Sequence, residues 1–150
     1  RRNEVTRSWI WQPEAGRAYV AERGAGVRCN GELLTRSRTH DPVRVGGTPK
    51  VWRHFDSSDG FATPAGSNFC AGFDYPQLLR GEVDAFVYRW PKPWDHLPGQ
   101  LMLHELGGAV VQIGGQEYNP AALGAEVICS ATDPELATAV AARWNPAVNR

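Results

Sequence analysis

The residues best suited to do chemistry lie together in KPWDHLPGQLMLHELGG, residues Lys92–Gly108. Asp95 stands there between an aromatic residue, Trp94, and an apolar run whose spacing predicts a helix. Its carboxylate could accept hydrogen bonds from the free amides at the helix start, a contribution of about 1 kcal/mol, or it could bind a metal ion. Trp94 would wall one side of the carboxylate, and Pro98-Gly99 lets backbone pass close by. Both interpretations of Asp95 therefore stay open.

Histidine and cysteine, the other common metal ligands, show no ligand spacing in this sequence. The cysteines are odd in number and far apart, which indicates neither a disulfide framework nor a zinc site. We expect small buried apolar residues at Cys29, Cys70 and Cys129. His104 follows on the same predicted helix as Asp95, and we expect its side chain to be satisfied or partly exposed. We expect Glu105 to contact backbone or a basic partner rather than a metal ion.

Composition and charge limit the partners of this chain. Its 150 residues suit one domain with a buried core. Lys plus Arg and Asp plus Glu both number 16, so the net charge is zero, and no basic stripe indicates nucleic acid or an anionic membrane surface. No apolar run reaches the roughly 20 residues of a membrane-spanning helix, and the first residues lack the apolar segment of a signal peptide. We therefore expect a soluble, cytoplasmic protein with a small-molecule partner.

The N-terminal part of the chain has the pattern of antiparallel strands. Arg7–Trp11 and Arg17–Glu22 are strand-like runs on either side of the turn-forming segment Gln12–Gly16, which predicts a hairpin. Two residues of the first strand, Trp9 and Trp11, need a surface to pack against. We therefore expect the sheet to begin upstream of this chain.

A glycine-punctuated loop, Arg23–Leu34, follows the hairpin. Asn30-Gly31 predicts a tight turn between two short extended pieces. Gly24 and Gly26 are interpreted as turn residues, because the lysine of a phosphate-binding loop is absent and no helix opens here. From Arg36 to Asn68 the chain is rich in Pro, Gly, Ser, Thr and charge, which predicts an irregular or mobile stretch.

Regular patterns return after this stretch. Asp74–Pro76 predicts a helix start, because proline is tolerated only in the first turn, and Gly81 predicts where that helix ends. Alternating residues from Val83 to Tyr88 then predict a strand half-buried against a helix.

The remainder of the chain repeats this order. Apolar residues from Leu97 to Leu106 predict a short helix that ends at Gly107-Gly108, and Ala109–Ile113 predicts a strand. Glu126–Cys129 is a second apolar run, and an alanine-rich helix from Asp133 to about Trp144 should follow it, with the aspartate accepting hydrogen bonds from the first amides. Helices alternating with strands predict a layered α/β sheet.

Three motifs in this sequence resemble those of the inositol monophosphatase family. Trp94–Gly99 and Glu105–Gly108 are similar to the family's C-terminal signature, W-D-x-x-A/P-G followed by E-A/L-G-G. Glu14–Leu33, with its preceding proline, resembles the family's hairpin and G-x-G-x-x-x-N-G loop, and Gly81–Ala85 resembles its G-x-x-D-A strand entry. The motifs occur in family order over roughly the whole span from Arg7 onward, so the chain is identified as a member of this family.

The resemblance implies a function and a set of site residues. Family members hydrolyse phosphate monoesters with Mg²⁺ ions, which hold and polarise the phosphate and activate a water for in-line attack. Asp95 is then a catalytic metal ligand, and Tyr88 lies where the family contacts the substrate alcohol. The turn near the substrate falls on Cys70, Ala71 and Gly72. Inositol-selective members tend to have a carboxylate at the position of Tyr88, whereas Arg89 and Lys92 favour a more anionic substrate.

One aspartate does not make a magnesium site, because each ion needs several oxygen ligands in near-octahedral geometry. The family takes the others from a Glu-Glu pair and a D-P-I/L-D-G-S/T motif, which precede the G-x-G-x-x-x-N-G loop. We expect that half to lie upstream and the 150-residue chain alone to be inactive. Asp56 and Asp59 have the aspartate spacing of the motif but follow the loop. They are candidate extra metal ligands, and the simpler interpretation is that they form turns.

Two functions of different classes stay open. The first is a magnesium-dependent phosphomonoesterase that acts on a small phosphorylated alcohol, with a homodimer as one possible assembly. The second is a non-catalytic binding or interaction module derived from the same family. The expected fold is α/β in alternating layers. In it, residues 1–35 belong to a larger antiparallel sheet, residues 36–68 form an irregular connection, and residues 69–150 form the substrate-facing α/β part with a small mixed sheet.

Overall fold

The computed structural model describes residues 4–120 and 125–149, which form two β-sheets with helices packed between and beside them. The strands are β1 Arg7–Gln12, β2 Arg17–Glu22, β3 Gly26–Cys29, β4 Glu32–Leu33, β5 Val43–Gly46, β6 Ala62–Ala65, β7 Ala85–Arg89, β8 Ala109–Gln112 and β9 Val127–Ala131. The α-helices are α1 Pro49–Trp52, α2 Ala71–Leu79, α3 Pro93–Glu105 and α4 Pro134–Ala142, and a 3-10 turn spans Pro146–Asn149. None of these helices is both long and apolar enough to cross a membrane. The predicted α/β class is confirmed.

The N-terminal sheet, β1–β4, is a four-stranded antiparallel sheet in chain order. The predicted hairpin is confirmed, and so is the turn at Asn30-Gly31, where both residues have positive φ, 51° and 89°. Asn30 also accepts a hydrogen bond from the amide of Ala18 through its side-chain oxygen, at 2.8 Å. One face of this sheet is buried, with Tyr19 and Val27 fully inaccessible. The other face exposes apolar side chains, namely Trp9, Trp11, Val20 and Leu33.

The central sheet has five strands in the order β6-β5-β7-β9-β8. Strand β5 runs parallel to β6 and β7, whereas β7, β9 and β8 pair antiparallel, so the sheet is mixed as expected. Phe86 and Ile128 point to the core shared with α2 and α3, and Ala85 and Cys129 point to a second core that includes α4. A strand was predicted at Val83–Tyr88 and is present as β7. The prediction that it is half-buried was wrong, because β7 is covered on both faces.

The stretch 36–68 is not an irregular connection throughout, because it contains β5, α1 and β6. These short elements are stabilised by contacts with residues that are distant in the sequence. Val45 lies opposite Ala85 of β7, and the amide of Arg44 donates to the buried carboxylate of Asp84 at 2.7 Å. Thr48 caps α1 by accepting a hydrogen bond from the amide of Val51. Strands of four residues leave too little periodicity to be recognised from sequence.

Helix α2 begins at Ala71, so the start predicted at Asp74–Pro76 was wrong. Pro76 lies inside the helix, where it lacks the N–H that would bond to the carbonyl of Gly72. The side chain of Gln12 supplies the missing donor, because its Nε2 lies 2.9 Å from that carbonyl oxygen. A residue of β1 thus makes an internal proline tolerable in α2.

Helix α3 begins at Pro93 with Lys92 at the N-cap position, and no side chain caps it. Of the two interpretations of Asp95, the capping one is wrong: its carboxylate lies in the first turn, where the helix dipole still favours a negative charge. The predicted end is confirmed, with Gly107 at φ 86°. The expectation for Glu105 is also confirmed, since its two carboxylate oxygens each accept a backbone amide of the N-terminal sheet, from Gly24 and Gly26, at 2.9 Å.

Helix α4 starts as predicted. The carboxylate of Asp133 accepts the amides of Glu135 and Leu136 at 2.9 and 3.1 Å. This cap satisfies two of the amides that the first turn of any helix leaves without a partner.

The helices lie in two layers. Helices α2 and α3 fill the space between the two sheets, and α4 covers the far face of the central sheet. Helices α2 and α3 approach closely at Gly99, where an added Cβ would lie 2.1 Å from the ring of Tyr75. The order of layers is therefore sheet, helices, sheet, helix.

Candidate functional site

A cavity of about 750 Å³ opens where β1 meets the starts of α2 and α3 and the end of β7. Strand β7 ends at Arg89 and α3 begins at Pro93, so a short connection brings the strand end and the helix start together. Six residues predicted from the sequence line this cavity: Cys70, Ala71, Gly72, Tyr88, Arg89 and Asp95. The structure thus brings the six into one place, while their roles stay predictions.

Asp95 is exposed at the mouth of this cavity. Among the described residues, none forms a hydrogen bond or an ion pair with its carboxylate. An exposed carboxylate at the positive end of a helix, with no partner among the described residues, is available to a cation. Asp95 therefore fits the role of a metal ligand.

The ligands around Asp95 do not complete a magnesium site. Within residues 4–120 and 125–149, no group of three or more His, Cys, Asp or Glu side chains is arranged to hold a metal ion. Magnesium requires near-octahedral coordination by oxygen, usually with more than one carboxylate or phosphate oxygen. The described residues supply one ligand of such a site, Asp95, and do not supply the complete set of ligands.

Asp56 and Asp59 lie away from this cavity. They make the turn hydrogen bonds expected of them, because Asp56 accepts the amide of Ser58 and Asp59 accepts the amide of Phe61, each at 3.0 Å. These backbone hydrogen bonds lower the pKa of both carboxyls. Asp59 also forms an ion pair with Arg143 at 2.8 Å. The structure does not place this pair with Asp95.

The start of α2 forms another part of the cavity wall. Cys70 is the N-cap residue in extended conformation, and Ala71 and Gly72 are the first helical residues. The first amides of a helix have no partner within it, and together with the helix dipole they form a binding place for an anion. The burial predicted for Cys70 was wrong, since its thiol is exposed, and Cys29 is only half-buried. Cys129 is buried as expected.

The floor of the cavity holds buried polar groups. The hydroxyl of Tyr88 is buried beside the carboxylate of Asp74, and within the described part of the chain no group lies in good hydrogen-bond geometry with it. The carboxylate of Asp74 is inaccessible and accepts hydrogen bonds from the hydroxyl of Ser67 at 2.7 Å and the amide of Asn68 at 2.9 Å. A buried hydroxyl without a partner is costly, so Tyr88 is suited to bind a polar group that enters the cavity.

A second buried network lies beside this floor. The hydroxyl of Tyr75 is 3.1 Å from Nδ1 of His96 and 2.9 Å from Oγ of Ser130. Burial lowers the pKa of His96 to about 4, so the imidazole is neutral at pH 7. Burial also raises the pKa of Asp74 and of Tyr88 above their ordinary values. The tyrosine hydroxyls therefore stay protonated and can donate.

Sequence reasoning missed several residues that line the cavity: Lys50, Phe69, Asp74, Trp90 and His96. Asp74 was interpreted only as part of a helix start, and His96 only as the residue after Asp95. Lys92, expected near the substrate, is exposed at the N-cap of α3 and is not among the residues that line the cavity. The guanidinium of Arg89 lies 4.3 Å from the ring centroid of Trp90.

Fold and site together define a layered α/β protein with a ligand cleft at converging helix starts and one unpaired acid in it. The sequence profile of the inositol monophosphatase family matches residues 1–147. The chain belongs to the inositol monophosphatase family, and the resemblance found in its motifs is confirmed.

Known proteins similar to this chain include Nus factor SuhB of Escherichia coli strain K12, which is 27% identical over 121 residues. That match covers 73% of this chain and 45% of SuhB, so the chain spans about half the length of the curated relatives it matches. A Pyrococcus horikoshii protein with similarities to inositol-1 monophosphatase has a TM-score of 0.76 at 20% identity, covering 93% of this chain and 57% of its own. SaIMPase-II bound to inositol monophosphate has a TM-score of 0.73 at 15% identity, covering 89% of this chain and 55% of its own. These two structures establish the fold.

Proposed function

We propose that this chain is the substrate-facing part of a magnesium-dependent phosphomonoesterase that hydrolyses a small phosphorylated alcohol by metal-activated water. The family generally uses Mg²⁺, and SaIMPase-II binds an inositol phosphate. The observation that carries the proposal is the unpaired, exposed carboxylate of Asp95 in a cavity that five other predicted site residues also line.

Each wall of the cavity has a role in this proposal. The carboxylate of Asp95 supplies one ligand to a metal ion. When bound, that ion neutralises charge at the phosphate and lowers the pKa of a coordinated water. The first amides of α2, at Ala71 and Gly72, bind phosphate oxygens. Tyr88 donates its buried hydroxyl to the alcohol, and Arg89 attracts a negatively charged ester.

The remaining metal ligands come from polypeptide outside the described residues. A single carboxylate does not balance the charge of a magnesium ion beside a phosphate. We therefore expect the 150-residue chain alone to release no phosphate and to bind a divalent cation only weakly. A cytoplasmic location and a homodimer stay predictions.

Manganese broadening of NMR signals tests the metal position. With inorganic phosphate present, we expect Mn²⁺ to broaden amide signals around Asp95 in the wild type and in Asp59→Asn, and not in Asp95→Asn. Asp59 is the matched control, because it is also an exposed acid. Broadening centred on Asp56 and Asp59, or broadening unchanged in Asp95→Asn, would overturn the assignment.

A phosphate-release assay over a panel of phosphate monoesters tests whether this chain alone supplies all the metal ligands that catalysis needs. Wild-type activity that disappears in Asp95→Asn would show that the chain supplies its own metal ligands. That result would contradict the proposal that the ligands come from elsewhere, and it would support the proposed phosphatase activity. A folded, inactive chain with manganese bound at Asp95 is the expected result.

The second candidate is a non-catalytic binding or interaction module derived from the same family. Two observations favour it: the relative from Escherichia coli is a Nus factor, and the described residues contain no cluster of metal-ligating side chains. If this candidate is correct, Mn²⁺ should not broaden the amide signals around Asp95, and the spectra of Asp95→Asn and the wild type should respond to Mn²⁺ in the same way. The broadening experiment therefore separates the two candidates.

A further inference from the structure

Asp74 is a buried acid in the cavity that the proposed function does not use. It lies in the first turn of α2, it is fully inaccessible to solvent, and it lines the cavity together with Ser67 and Tyr88. Burying a carboxylate is costly in free energy unless hydrogen bonds stabilise it. The partners of this carboxylate therefore indicate what Asp74 does.

Both carboxylate oxygens of Asp74 bind the segment that precedes α2. Oδ2 accepts a hydrogen bond from the hydroxyl of Ser67 at 2.7 Å, and Oδ1 accepts one from the amide of Asn68 at 2.9 Å. The hydroxyl oxygen of Ser67 in turn accepts a hydrogen bond from the amide of Phe69 at 3.0 Å. One buried side chain thus holds three consecutive residues, either directly or through one hydroxyl.

Phe69, the last residue before the N-cap of α2, has a left-handed backbone conformation. Its φ is 56°, in a region that bulky residues adopt rarely and at a cost in free energy. Such a conformation persists only where the surrounding structure imposes it. The hydrogen bonds that run from Phe69 through Ser67 to Asp74 supply that restraint.

The first amides of α2 remain free in this arrangement. In the described part of the chain, no side chain caps α2, and the amides of Ala71 and Gly72 have no hydrogen-bond partner. Serine and aspartate side chains near a helix start commonly cap such amides. Ser67 and Asp74 flank this helix start and bind each other instead, which keeps both away from the amides.

We infer that Asp74 is a positioning residue of the cavity: its buried carboxylate holds Ser67–Phe69 in the conformation that leaves the amides of Ala71 and Gly72 free for the phosphate. This inference rests on the proposed function, which assigns the phosphate to these amides. Without that carboxylate, the segment before α2 rearranges and Ser67 can cap the helix itself, so a phosphate has to compete with it.

Two substitutions of Asp74 separate the loss of its hydrogen bonds from the loss of its charge. In Asp74→Asn the side-chain oxygen still accepts the amide of Asn68, and the side-chain NH₂ donates to the hydroxyl oxygen of Ser67. In Asp74→Ala both hydrogen bonds are lost. Inorganic phosphate is titrated with Mg²⁺ present, and the amide NMR signals of Ala71 and Gly72 report binding. We expect Asp74→Asn to bind phosphate at least as tightly as the wild type, and Asp74→Ala to bind it roughly tenfold more weakly, the loss expected for one hydrogen bond to a charged group.

A second measurement needs no ligand. The three-bond coupling between the amide and Cα protons of Phe69 depends on φ, so it reports whether the left-handed conformation is kept. We expect the wild-type coupling in Asp74→Asn and a different coupling in Asp74→Ala. Asp133→Ala is the control, because Asp133 also accepts two hydrogen bonds at a helix start and is not among the residues that line the cavity. It should lose stability while its phosphate affinity and Phe69 coupling stay at the wild-type values.

The outcomes are distinct. Unchanged phosphate affinity or an unchanged Phe69 coupling in Asp74→Ala would overturn the positioning role, and so would an equal loss of affinity in Asp74→Asn and Asp74→Ala. If Asp74→Ala does not fold, Ser67→Ala breaks the same chain of hydrogen bonds, and an unchanged coupling there would overturn the role. If phosphate does not shift the amide signals of Ala71 and Gly72 in the folded wild type, the phosphate position in the proposed function is wrong. A changed Phe69 coupling in Asp74→Ala would then still support the hold of Asp74 on the segment before α2.

Discussion

The two sheets of this protein differ in how many of their faces are covered. The central sheet lies between two apolar cores, and every residue of β9 is buried. The N-terminal sheet has one buried face, and its other face exposes Trp9, Trp11, Val20 and Leu33. Its first strand, β1, pairs with β2 on one side only. The central sheet is thus covered on both faces, whereas the N-terminal sheet has an open apolar face in the described part of the chain.

This difference shows which part of the molecule holds itself together. Burial of apolar surface is the main stabilising contribution in a domain of this size, and it lies in two cores, one between the sheets and one on the far face of the central sheet. Substitutions in the shared core should therefore have large effects on stability, and substitutions on the open face should have small ones.

Phe86→Ala should have the largest effect. Phe86 is fully buried in β7 and its ring fills the space over Gly46. Removing a buried phenyl ring costs about 3–5 kcal/mol in free energy of unfolding, from lost burial and the cavity left behind. Urea denaturation followed by circular dichroism measures it. Leu33→Ala on the open face is the control, and a loss there as large as for Phe86→Ala would contradict the comparison.

Glu105→Ala should have an intermediate effect, because this residue joins the two regions. Its carboxylate on α3 accepts the amides of Gly24 and Gly26 in the N-terminal sheet, both at 2.9 Å. Loss of these hydrogen bonds should reduce the free energy of unfolding by about 1–3 kcal/mol. Hydrogen exchange should show the amides of these two glycines losing protection. In Glu32→Ala, where an exposed acid of β4 is removed, their protection should not change.

Replacing Trp9 and Trp11 together by threonine should have the smallest effect on stability. Both side chains are more than half exposed, at 62% and 60%, and threonine retains a preference for strands. We expect the free energy of unfolding to change by about 0.5 kcal/mol or less for each residue. Sedimentation velocity should instead show weaker self-association than in the wild type, because the open apolar face is reduced. Unchanged association would mean that another surface drives it.

Local signals in the sequence were sufficient for part of the fold. The hairpin, the Asn30-Gly31 turn and the Asp133 cap were predicted, because each depends on residues next to one another. Strands β5 and β6 were missed, since their stability comes from pairing with residues far along the chain, as Val45 pairs with Ala85. The start of α2 was misplaced because Gln12, distant in sequence, satisfies the backbone that Pro76 leaves open.

The candidate site divides in the same way. Asp95 and the substrate-near turn at Cys70, Ala71 and Gly72 were predicted from the family resemblance, and the structure brings them to one cavity. Asp74 and His96 were not, because burial of a polar side chain depends on what packs over it from other elements. The left-handed backbone of Phe69 and Trp90 has no sequence signal either, since nothing in a bulky side chain predicts positive φ.

The contact between Gly99 and Tyr75 affects where the carboxylate of Asp95 lies in the cavity. An added Cβ at Gly99 would lie 2.1 Å from the tyrosine ring, so the thickness of that ring fixes the spacing of α2 and α3. The same tyrosine holds His96, one residue after Asp95, through its hydroxyl. A single methyl group in this apolar contact would therefore force the tyrosine ring or one of the two helices to shift, and Asp95 lies on one of those helices. The geometry of the cavity can therefore change through a substitution that alters none of the residues lining it and no charge.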